Sequence, residues 1–311
     1  MSQQQTTLKV DKIVKRFGDF TAVDQISFDV RAGRIFGFLG PNGAGKTTTI
    51  RMIVGITIPD EGRIELFGQS ISAALQDRIG YLPEERGLYK KMKVHEQLRY
   101  FAALKDVAAK EADRRIDFWL ERMGLSDWKL KKASDLSKGM SQKIQFIAAV
   151  LHEPDLIILD EPFSGLDPVN VETLLEVIAE LKANGKTIIF STHLMETAER
   201  LCDDLILINK ARKVLGGSLR EVKESFGRNM IALRCTGGQS VLENNELIAK
   251  ITRHADELEI ALAKNTDSQT ILQRLIECGA RVSKFEEIEP SLNDIFIEQV
   301  GEKKLHAQTN S

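Results

Sequence analysis

Cysteine is scarce in this chain of 311 residues, which has only Cys202, Cys235 and Cys278. Three is an odd number and the positions are far apart, so we expect neither a disulfide framework nor a Cys-x-x-Cys metal pair. We interpret these cysteines as small apolar side chains in a protein of a reducing compartment. An excess of one charge is also lacking. The 43 Lys and Arg against 45 Asp and Glu give a net charge of −2, so no overall basic field favours nucleic acid.

Long hydrophobic runs are absent as well. The longest apolar stretches, such as residues 146–151 and 156–159, fall well short of the roughly 20 residues that a membrane span requires. Residues 1–10, MSQQQTTLKV, lack the basic and apolar regions of a secretory signal. We therefore expect that the chain itself does not cross a bilayer, and that a partner supplies the spans if the protein serves a membrane.

The chain does contain a regular alternation of strand and helix patterns. Residues 8–14 and 26–30 alternate apolar and polar side chains, as half-buried strands do. Residues 156–159 and 187–190 are β-rich runs with a helical pattern over 170–184 between them. That order is typical of a βαβ unit and predicts a parallel central sheet.

The pattern changes along the chain in a way that predicts two domains. A large α/β domain is expected over residues 6–220, with a helical insert at about 94–152. From 228 to 300, short strands are followed by a small helix at 269–278, a strand at 282–288 and a last helix at 292–300. We interpret this part as an appended α+β domain and residues 301–311 as a flexible tail.

One glycine-rich segment has the form GxxxxGK[ST], with a predicted strand before it and a predicted helix after it. Glycines let a backbone curl so that successive N–H groups point at phosphate oxygens, and the helix adds its positive end. Lys46 is expected to reach the β- and γ-phosphates, and the Thr47 hydroxyl to ligate Mg²⁺. The alternative is a simple glycine-rich turn. The predicted nucleotide-binding residues here are Gly40, Pro41, Asn42, Gly43, Ala44, Gly45, Lys46, Thr47 and Thr48.

Two acids follow the apolar run at residues 156–159. Asp160 emerges at the end of the predicted strand, where an aspartate can hold the Mg²⁺ shell directly or through water. Glu161 is placed to orient or deprotonate an attacking water. A strand that ends in solvated charges is the commoner explanation of such a pair, but the phosphate loop upstream favours catalysis.

These segments, together with Leu136-Ser137-Lys138-Gly139-Met140 between them, resemble the ATP-binding cassette (ABC) family over about residues 6–220. The family signature LSGGQ is matched by LSKGM, and the loop after the acids is matched by Ser164-Gly165-Leu166-Asp167. The switch histidine of the family falls on His193. An aromatic that stacks on adenine falls on Phe17, which could equally belong to the core.

The resemblance implies a P-loop NTPase fold of the ABC ATPase type, with an antiparallel β subdomain and a helical insert, plus the small C-terminal α+β domain. It implies ATP and Mg²⁺ as cofactors and a second copy of this chain, or a related cassette, as partner. Ser137 and the amides near Gly139 open a predicted helix, which suits the γ-phosphate of ATP held by the second chain. His193 is expected to sense the γ-phosphate, and Asp167 to lie near the dimer seam.

Three positions depart from the usual family pattern. Glu84 stands where the family has glutamine, so it can still ligate the metal but adds negative charge near phosphate. Lys138 replaces a glycine and offsets that charge across the interface, unless it is simply a solvated lysine. Met140 removes a polar side chain. Together with the appended domain, these features resemble cassettes of ABC-2-type exporters, among them sodium-efflux and drug-efflux cassettes.

We therefore predict an ATPase that dimerises on ATP and drives export, of sodium ions or drugs, through a separate ABC-2-type permease. It is expected as a peripheral protein on the cytoplasmic side of the cell membrane, with residues 84–96 receiving the permease. No nucleic acid partner is expected. The alternative is a soluble, non-transport ABC ATPase acting on nucleic acid or the ribosome. A small-molecule kinase on the same loop fails to explain the LSKGM segment or His193.

Overall fold

The structure, a computed structural model, describes residues 5–85, 87–226, 230–244, 246–254, 257–263 and 266–299. The predicted tail at 301–311 lies outside the described residues. The chain divides into two compact units, Met1–Leu219 and Arg220–Ser311. No helix of the described residues is both long and apolar enough to span a bilayer.

The first unit contains strands and helices in alternation. Its strands are β1 (Thr6–Phe17), β2 (Phe20–Arg31), β3 (Ile35–Leu39), β4 (Glu61–Leu66), β5 (Gln69–Ser70), β6 (Ile79–Leu82), β7 (Leu156–Asp160), β8 (Thr187–Thr192), β9 (Asp204–Asn209) and β10 (Arg212–Ser218). Its helices are α1 (Lys46–Ile53), α2 (Ala73–Gln76), α3 (Val94–Ala103), α4 (Ala109–Arg122), α5 (Lys138–Val150), α6 (Pro168–Ala183) and α7 (Met195–Leu201), with 3₁₀ turns at Ser126–Trp128 and Ala133–Asp135.

Two sheets organise this unit. One is antiparallel, in the order β2-β1-β4-β5, and the other has the order β10-β9-β3-β8-β7-β6. In the second sheet β9, β3, β8, β7 and β6 run parallel, and only the edge strand β10 is antiparallel. Every residue of β3, β7 and β8 is buried. Continuous apolar runs are typical of parallel strands because both faces of such a sheet are covered.

The strand order decides where the site forms. β3 and β7 both pair with β8, so the residues that follow these three strands meet at one edge of the sheet. The phosphate loop follows β3, the acid pair ends β7, and His193 follows β8. Behind this edge, the rings of Phe28, Phe36 and Phe38 pack within 5.0 to 5.5 Å of one another in the core between the sheets.

Three helices form the predicted insert. α3 packs against α4 and α5. α4 buries Ala112, Ile116 and Leu120, which recur every four residues and so lie on one face of the helix. α5 is almost entirely buried after its first turn. The helix therefore enters the core at its C-terminal part and leaves its N-terminus accessible.

The second unit is a smaller α+β fold. It contains α8 (Leu219–Ser225, which begins at the boundary), β11 (Met230–Thr236), α9 (Gln239–Leu242), β12 (Ile248–His254), β13 (Glu257–Leu262), α10 (Ser268–Glu277), β14 (Arg281–Ile288) and a helical segment at 292–299. The antiparallel sheet has the order β12-β13-β11-β14. Its core is built by Ile231, Leu233, Ile260, Ile271 and Leu275.

The predicted fold class is confirmed: a P-loop α/β unit with an antiparallel β subdomain and a helical insert, followed by an α+β unit. The strands are longer than their patterns indicated, with β1 spanning Thr6–Phe17 rather than 8–14. α2, α7 and α9 were not predicted, because helices of four to seven residues complete too few turns to show a period.

Candidate functional site

The loop after β3 is shaped by glycines that no other residue could replace. The backbone φ is +148° at Gly40 and +108° at Gly45, in the left-handed range that favours glycine. A Cβ on Gly40 would lie 2.1 Å from the carbonyl oxygen of Ile208, and one on Gly45 would lie 2.4 Å from that of Ala22. Both glycines are therefore required on steric grounds.

The loop lines an open cavity at the start of α1. The N-cap residue is Gly45, which has no side chain to cap the helix. The first N–H groups of α1 are therefore available to an anion. The cavity has a volume of about 370 Å³. It is lined by Phe20, Ala22, Asn42, Gly43, Ala44, Gly45, Lys46, Thr47, Thr48, Glu84 and Glu161.

Lys46 and Glu161 form a buried ion pair in this cavity. The Lys46 Nζ atom lies 3.3 Å from Glu161 Oε1, and both side chains are less than a tenth exposed. The same Nζ donates to the carbonyl oxygens of Gly40 at 2.8 Å and Pro41 at 3.3 Å. A phosphate that enters the cavity would therefore compete with Glu161 for the lysine.

Ser191 holds both acids in place. The backbone N–H of Glu161 donates to Ser191 Oγ at 3.0 Å, and that hydroxyl donates to Asp160 Oδ1 at 2.5 Å. Glu161 has a φ of +47°, uncommon for a residue other than glycine, and the bond to Ser191 helps to hold it there. Sequence reasoning missed Ser191. The available signal was its position in the strand just before His193.

Asp160 has the features of a cation ligand. It is fully buried, and its Oδ2 atom has no hydrogen-bond partner among the residues that the structure describes. Burial raises the pKa of Asp160, and the hydrogen bond from Ser191 opposes that rise. A buried carboxylate oxygen without a hydrogen-bond partner in the described residues fits a hard divalent cation such as Mg²⁺. Of the other predicted ligands, Thr47 and Glu84 line the adjoining cavity.

His193 lies against the same carboxylate. Its Nδ1 atom is 3.1 Å from both Glu161 oxygens, and the side chain is 46% exposed. Within the described residues, Nε2 has no hydrogen-bond partner. The structure thus brings together three of the predicted side chains, because Lys46 and His193 both contact Glu161.

Two aromatic side chains stand at the hairpin between β1 and β2. Phe17, the predicted adenine-stacking residue, is 54% exposed and has the Lys15 Nζ atom 5.7 Å from its ring centre. Phe20 is 63% exposed and, unlike Phe17, lines the loop cavity. Stacking of Phe17 on adenine stays a prediction. Phe20 is a second candidate for the stacking residue, which the sequence analysis did not identify.

The signature residues lie apart from this cavity, since none of them is among its lining residues. Ser137 is the N-cap of α5, and its hydroxyl accepts the N–H of Met140 at 3.2 Å. Ser137 and Lys138 are exposed, and Gly139 is half-buried. The N-terminus of α5 is therefore an exposed helix end, capped by Ser137, and its residues are not among those that line the loop cavity.

Asp167 also acts at a helix start. It is the N-cap of α6, and its carboxylate accepts the Asn170 N–H at 2.9 Å and the Asn170 side-chain amide at 2.6 Å. These bonds, the backbone one first, lower the pKa of Asp167. These hydrogen bonds all lie within the first turn of α6. The place of Asp167 near a dimer seam stays a prediction.

A separate apolar groove lies between the sheet and the helical insert. It has a volume of about 390 Å³ and includes Tyr81, Pro83, Phe101, Leu104 and Gln145 in its lining. Gln145 is buried, and its Oε1 atom has no hydrogen-bond partner among the described residues. Burial raises the pKa of Tyr81 to about 12. The groove is thus apolar, with a single unsatisfied acceptor.

Both parts of the chain match models of known protein families. Residues 23–164 match the family model described as ABC transporter. Residues 217–300 match the model described as ATP-binding protein DrrA1-3-like, C-terminal domain. Each match covers a different unit, with the first ending just beyond the acid pair.

Individual proteins are similar over most of their length. The uncharacterized ABC transporter ATP-binding protein YhaQ of Bacillus subtilis is 48% identical over 94% of this chain and 98% of its own length. The Nod factor export ATP-binding protein I of Ralstonia nicotianae is 38% identical over 73% and 74%. A solved structure of an ATP-binding subunit of an ABC transporter superposes with a TM-score of 0.67 at 34% identity, over 71% of this chain and 94% of that chain.

Proposed function

Because this chain belongs to the family of ABC transporter ATP-binding subunits, we propose that it hydrolyses ATP to power export through a separate membrane permease. The observation that carries the proposal is the arrangement around Glu161. Its carboxylate contacts Lys46 at 3.3 Å and His193 at 3.1 Å, and it directly follows the buried, unsatisfied Asp160. A base beside a phosphate-binding lysine and a cation ligand suits hydrolysis of a phosphoanhydride.

Each predicted residue has a role in this scheme. The loop from Gly40 to Thr48 holds the phosphates through its N–H groups and Lys46. Thr47, Asp160 and Glu84 are the candidate Mg²⁺ ligands, and bound Mg²⁺ supplies charge neutralisation at the β- and γ-phosphates. Phe17 or Phe20 stacks on the adenine.

Glu161 orients or deprotonates the attacking water once an incoming phosphate draws Lys46 away from it. When both ring nitrogens carry protons, His193 donates from Nδ1 to the glutamate and from Nε2 to the γ-phosphate. The hydrogen bond between His193 and Glu161 therefore links presence of that phosphate to the orientation of the base.

The second half of each site comes from another copy of this chain or a related cassette. Ser137 and Gly139 at the open end of α5 are placed to bind the γ-phosphate of ATP on the partner, and Asp167 lies near the seam. The exposure of Ser137 and its absence from the loop cavity of its own chain support this arrangement. Two copies facing head to tail bury two ATP molecules and separate after hydrolysis.

The two units of the chain correspond to two proposed domains. Residues 6–220, with the insert at about 94–152, constitute the ATPase domain, and residues 228–300 an accessory domain. The separation into units at Leu219 and the match of residues 217–300 to a DrrA1-3-like C-terminal domain support that boundary.

The partner that we propose is an ABC-2-type permease, with this chain bound at the cytoplasmic face of the cell membrane. The apolar groove that includes Pro83, Phe101 and Leu104 fits an amphipathic segment of such a permease. It adjoins the 84–96 segment proposed from the sequence. The Ralstonia relative named for Nod factor export supports outward transport. Sodium or drug cargo stays a prediction, because cargo contacts lie in the permease.

Co-purification tests this function. The chain is expressed in its native host, and the membranes are solubilised in detergent. When the chain is purified from this extract, a polytopic membrane protein and ATPase activity are expected to co-purify with it. Leu104→Asp places a charge in the groove, where Leu104 is 60% exposed, and is expected to abolish recovery of that protein. Leu130→Asp, at a residue 68% exposed and outside the groove, is the matched control. Recovery with ribosomes or DNA instead would favour the non-transport alternative.

A further inference from the structure

Two segments of the helical insert run antiparallel to each other and concentrate lysine side chains at one place on the surface. Backbone hydrogen bonds join residues 89–95 to residues 128–134, and Lys93 lies opposite Lys132 in an antiparallel bridge. The two segments contain six lysines and no acid. We call these six residues the lysine patch: Lys90, Lys91, Lys93, Lys129, Lys131 and Lys132.

The side chains of the lysine patch face solvent. The residue that follows each lysine of the bridge, Val94 or Ala133, is buried, and successive side chains of an extended segment point to opposite faces. Five of the six lysines are exposed, and Lys129 is half-buried. Lys129 pairs with Asp117 at 2.5 Å, whereas no carboxylate of the described residues lies within ion-pair distance of the other five ammonium groups. These five therefore form a cationic surface.

Within the chain, this concentration of charge is unfavourable. Opposite residues of an antiparallel pair have their Cβ atoms roughly 5 Å apart, and like charges at such positions repel each other. Of the acids that flank the segments, Glu96 accepts the backbone N–H of Lys93 at 3.1 Å, and Asp135 accepts the Ser134 hydroxyl at 2.9 Å. The whole chain has a net charge of −2, so the patch is a local excess of positive charge. An anionic surface outside the chain would relieve the repulsion.

The lysine patch borders the apolar groove. The ring of Tyr89, which precedes Lys90, lies 6.3 Å from the ring of Phe101, a groove residue, and 6.0 Å from the ring of Tyr100. The two tyrosines are 51% and 43% exposed. Exposed tyrosines beside lysines are typical of protein surfaces at a membrane–water interface. A permease segment in the groove would therefore bring the patch next to the membrane surface.

We propose that the lysine patch binds the anionic lipid headgroups of the cytoplasmic leaflet. Clusters of four to eight basic residues close to a membrane bind anionic lipids, and each lysine near the surface strengthens binding roughly fivefold. The charge would also complement nucleic acid. A lipid surface is favoured because the chain belongs to a family of transporter subunits and the patch borders the groove proposed for a permease. The inference rests on the proposed function, which brings the chain to the membrane.

Binding of the full chain to lipid vesicles tests this inference. The chain is expected to sediment with vesicles of equal parts phosphatidylcholine and phosphatidylglycerol but not with vesicles of phosphatidylcholine alone, and added NaCl should weaken the binding. Replacing Lys91, Lys93 and Lys132 together by glutamine is expected to weaken binding roughly a hundredfold, because three contributions of about fivefold are lost. Replacing the same three residues by arginine keeps the charge and is expected to retain binding.

A matched control separates the lysine patch from net charge. Lys9, Lys12 and Lys110 are exposed lysines outside the two segments, and replacing all three by glutamine removes the same charge. This control is expected to bind vesicles as the parent does. An equal loss of binding in the control and in the glutamine variant of the patch would overturn the proposal, because net charge alone would then decide binding. Equal binding of the parent to neutral vesicles would also overturn it.

Two further measurements separate a lipid surface from other anionic partners. Co-purification in detergent removes the bilayer, so the glutamine variant of the patch is expected to recover the permease as the parent does. Loss of the permease would assign the patch to an acidic permease segment and overturn the proposal. Tighter binding of the parent to duplex DNA or RNA than to phosphatidylglycerol vesicles, at one ionic strength, would overturn it in favour of nucleic acid.

The vesicle assay contains no permease, so the inference and the proposed function can fail separately. A parent chain that recovers a permease from the detergent extract but does not bind anionic vesicles contradicts the inference alone. A parent chain that binds anionic vesicles through the lysine patch but recovers no membrane protein contradicts the proposed function alone.

Discussion

The two halves of the proposed nucleotide site differ in how far each is satisfied within its own chain. At the loop half, Lys46 and Glu161 are buried and paired, and Glu161 also contacts His193. At the signature half, Ser137 and Lys138 are exposed, and Lys138 contacts a glycine rather than an acid. The loop half can therefore bind a phosphate by exchanging one partner for another. In the proposed dimer, the signature half gains further polar contacts from the second molecule, beyond the capping bond of Ser137 to Met140.

The largest effect is expected from removing the base of the loop half. Glu161→Gln is expected to lower the ATP hydrolysis rate about a thousandfold, because a general base typically contributes 10²- to 10⁴-fold. ATP-dependent dimers are expected to accumulate, since the signature half is intact. Steady-state phosphate release and sedimentation of the same samples measure the two effects.

Glu85→Gln is the control for that variant, because Glu85 is exposed and lies 3.7 Å from Arg51, away from Lys46. It is expected to hydrolyse ATP at the parent rate. Retained hydrolysis in Glu161→Gln, without dimers, would show that the loop half does not work as proposed.

The next effect concerns the buried charge of the loop half. Asp160→Asn is expected to raise the free energy of unfolding, measured without nucleotide at pH 7, because burial disfavours the charged carboxylate of Asp160 and raises its pKa. The same variant is expected to lose the gain in ATP affinity that Mg²⁺ confers. The two results together would show that the charge of Asp160 lowers the stability of the fold and is needed for binding ATP with Mg²⁺.

The pH dependence of that stability gain has a definite sign. The pKa of Asp160 is raised in the folded protein. Its favourable contribution is therefore complete below the unfolded-state pKa of about 3.9 and is lost as pH rises through the folded-state pKa. The difference between variant and parent should grow with pH across that window. Urea unfolding at several pH values measures it, and a constant difference would contradict the assignment.

The same contrast explains how much the sequence could predict. The loop half depends on local spacing: Gly40, Gly45 and Lys46 follow one strand, and Asp160 with Glu161 ends another. Such patterns are visible in a single sequence. The bond between Ser191 and Asp160 was not visible, because it depends on the register of β7 against β8. Nor was the contact of Lys138 with Gly165, which joins two segments through tertiary packing.

The smallest expected effect is on stability, from removing the N-cap hydroxyl of the signature half. Ser137→Ala removes the hydroxyl that accepts the Met140 N–H and is expected to lower the free energy of unfolding by about 1 kcal/mol, the usual value of an N-cap. Ser134→Ala, which removes a surface hydroxyl bonded to Asp135, is the control and should change stability less. Monomer affinity for ATP should be unaltered in both variants, because position 137 lies outside the loop cavity. If Ser137→Ala weakened ATP binding to the monomer, the signature would act within its own chain, and the division into an internally satisfied half and an outward-facing half would not hold.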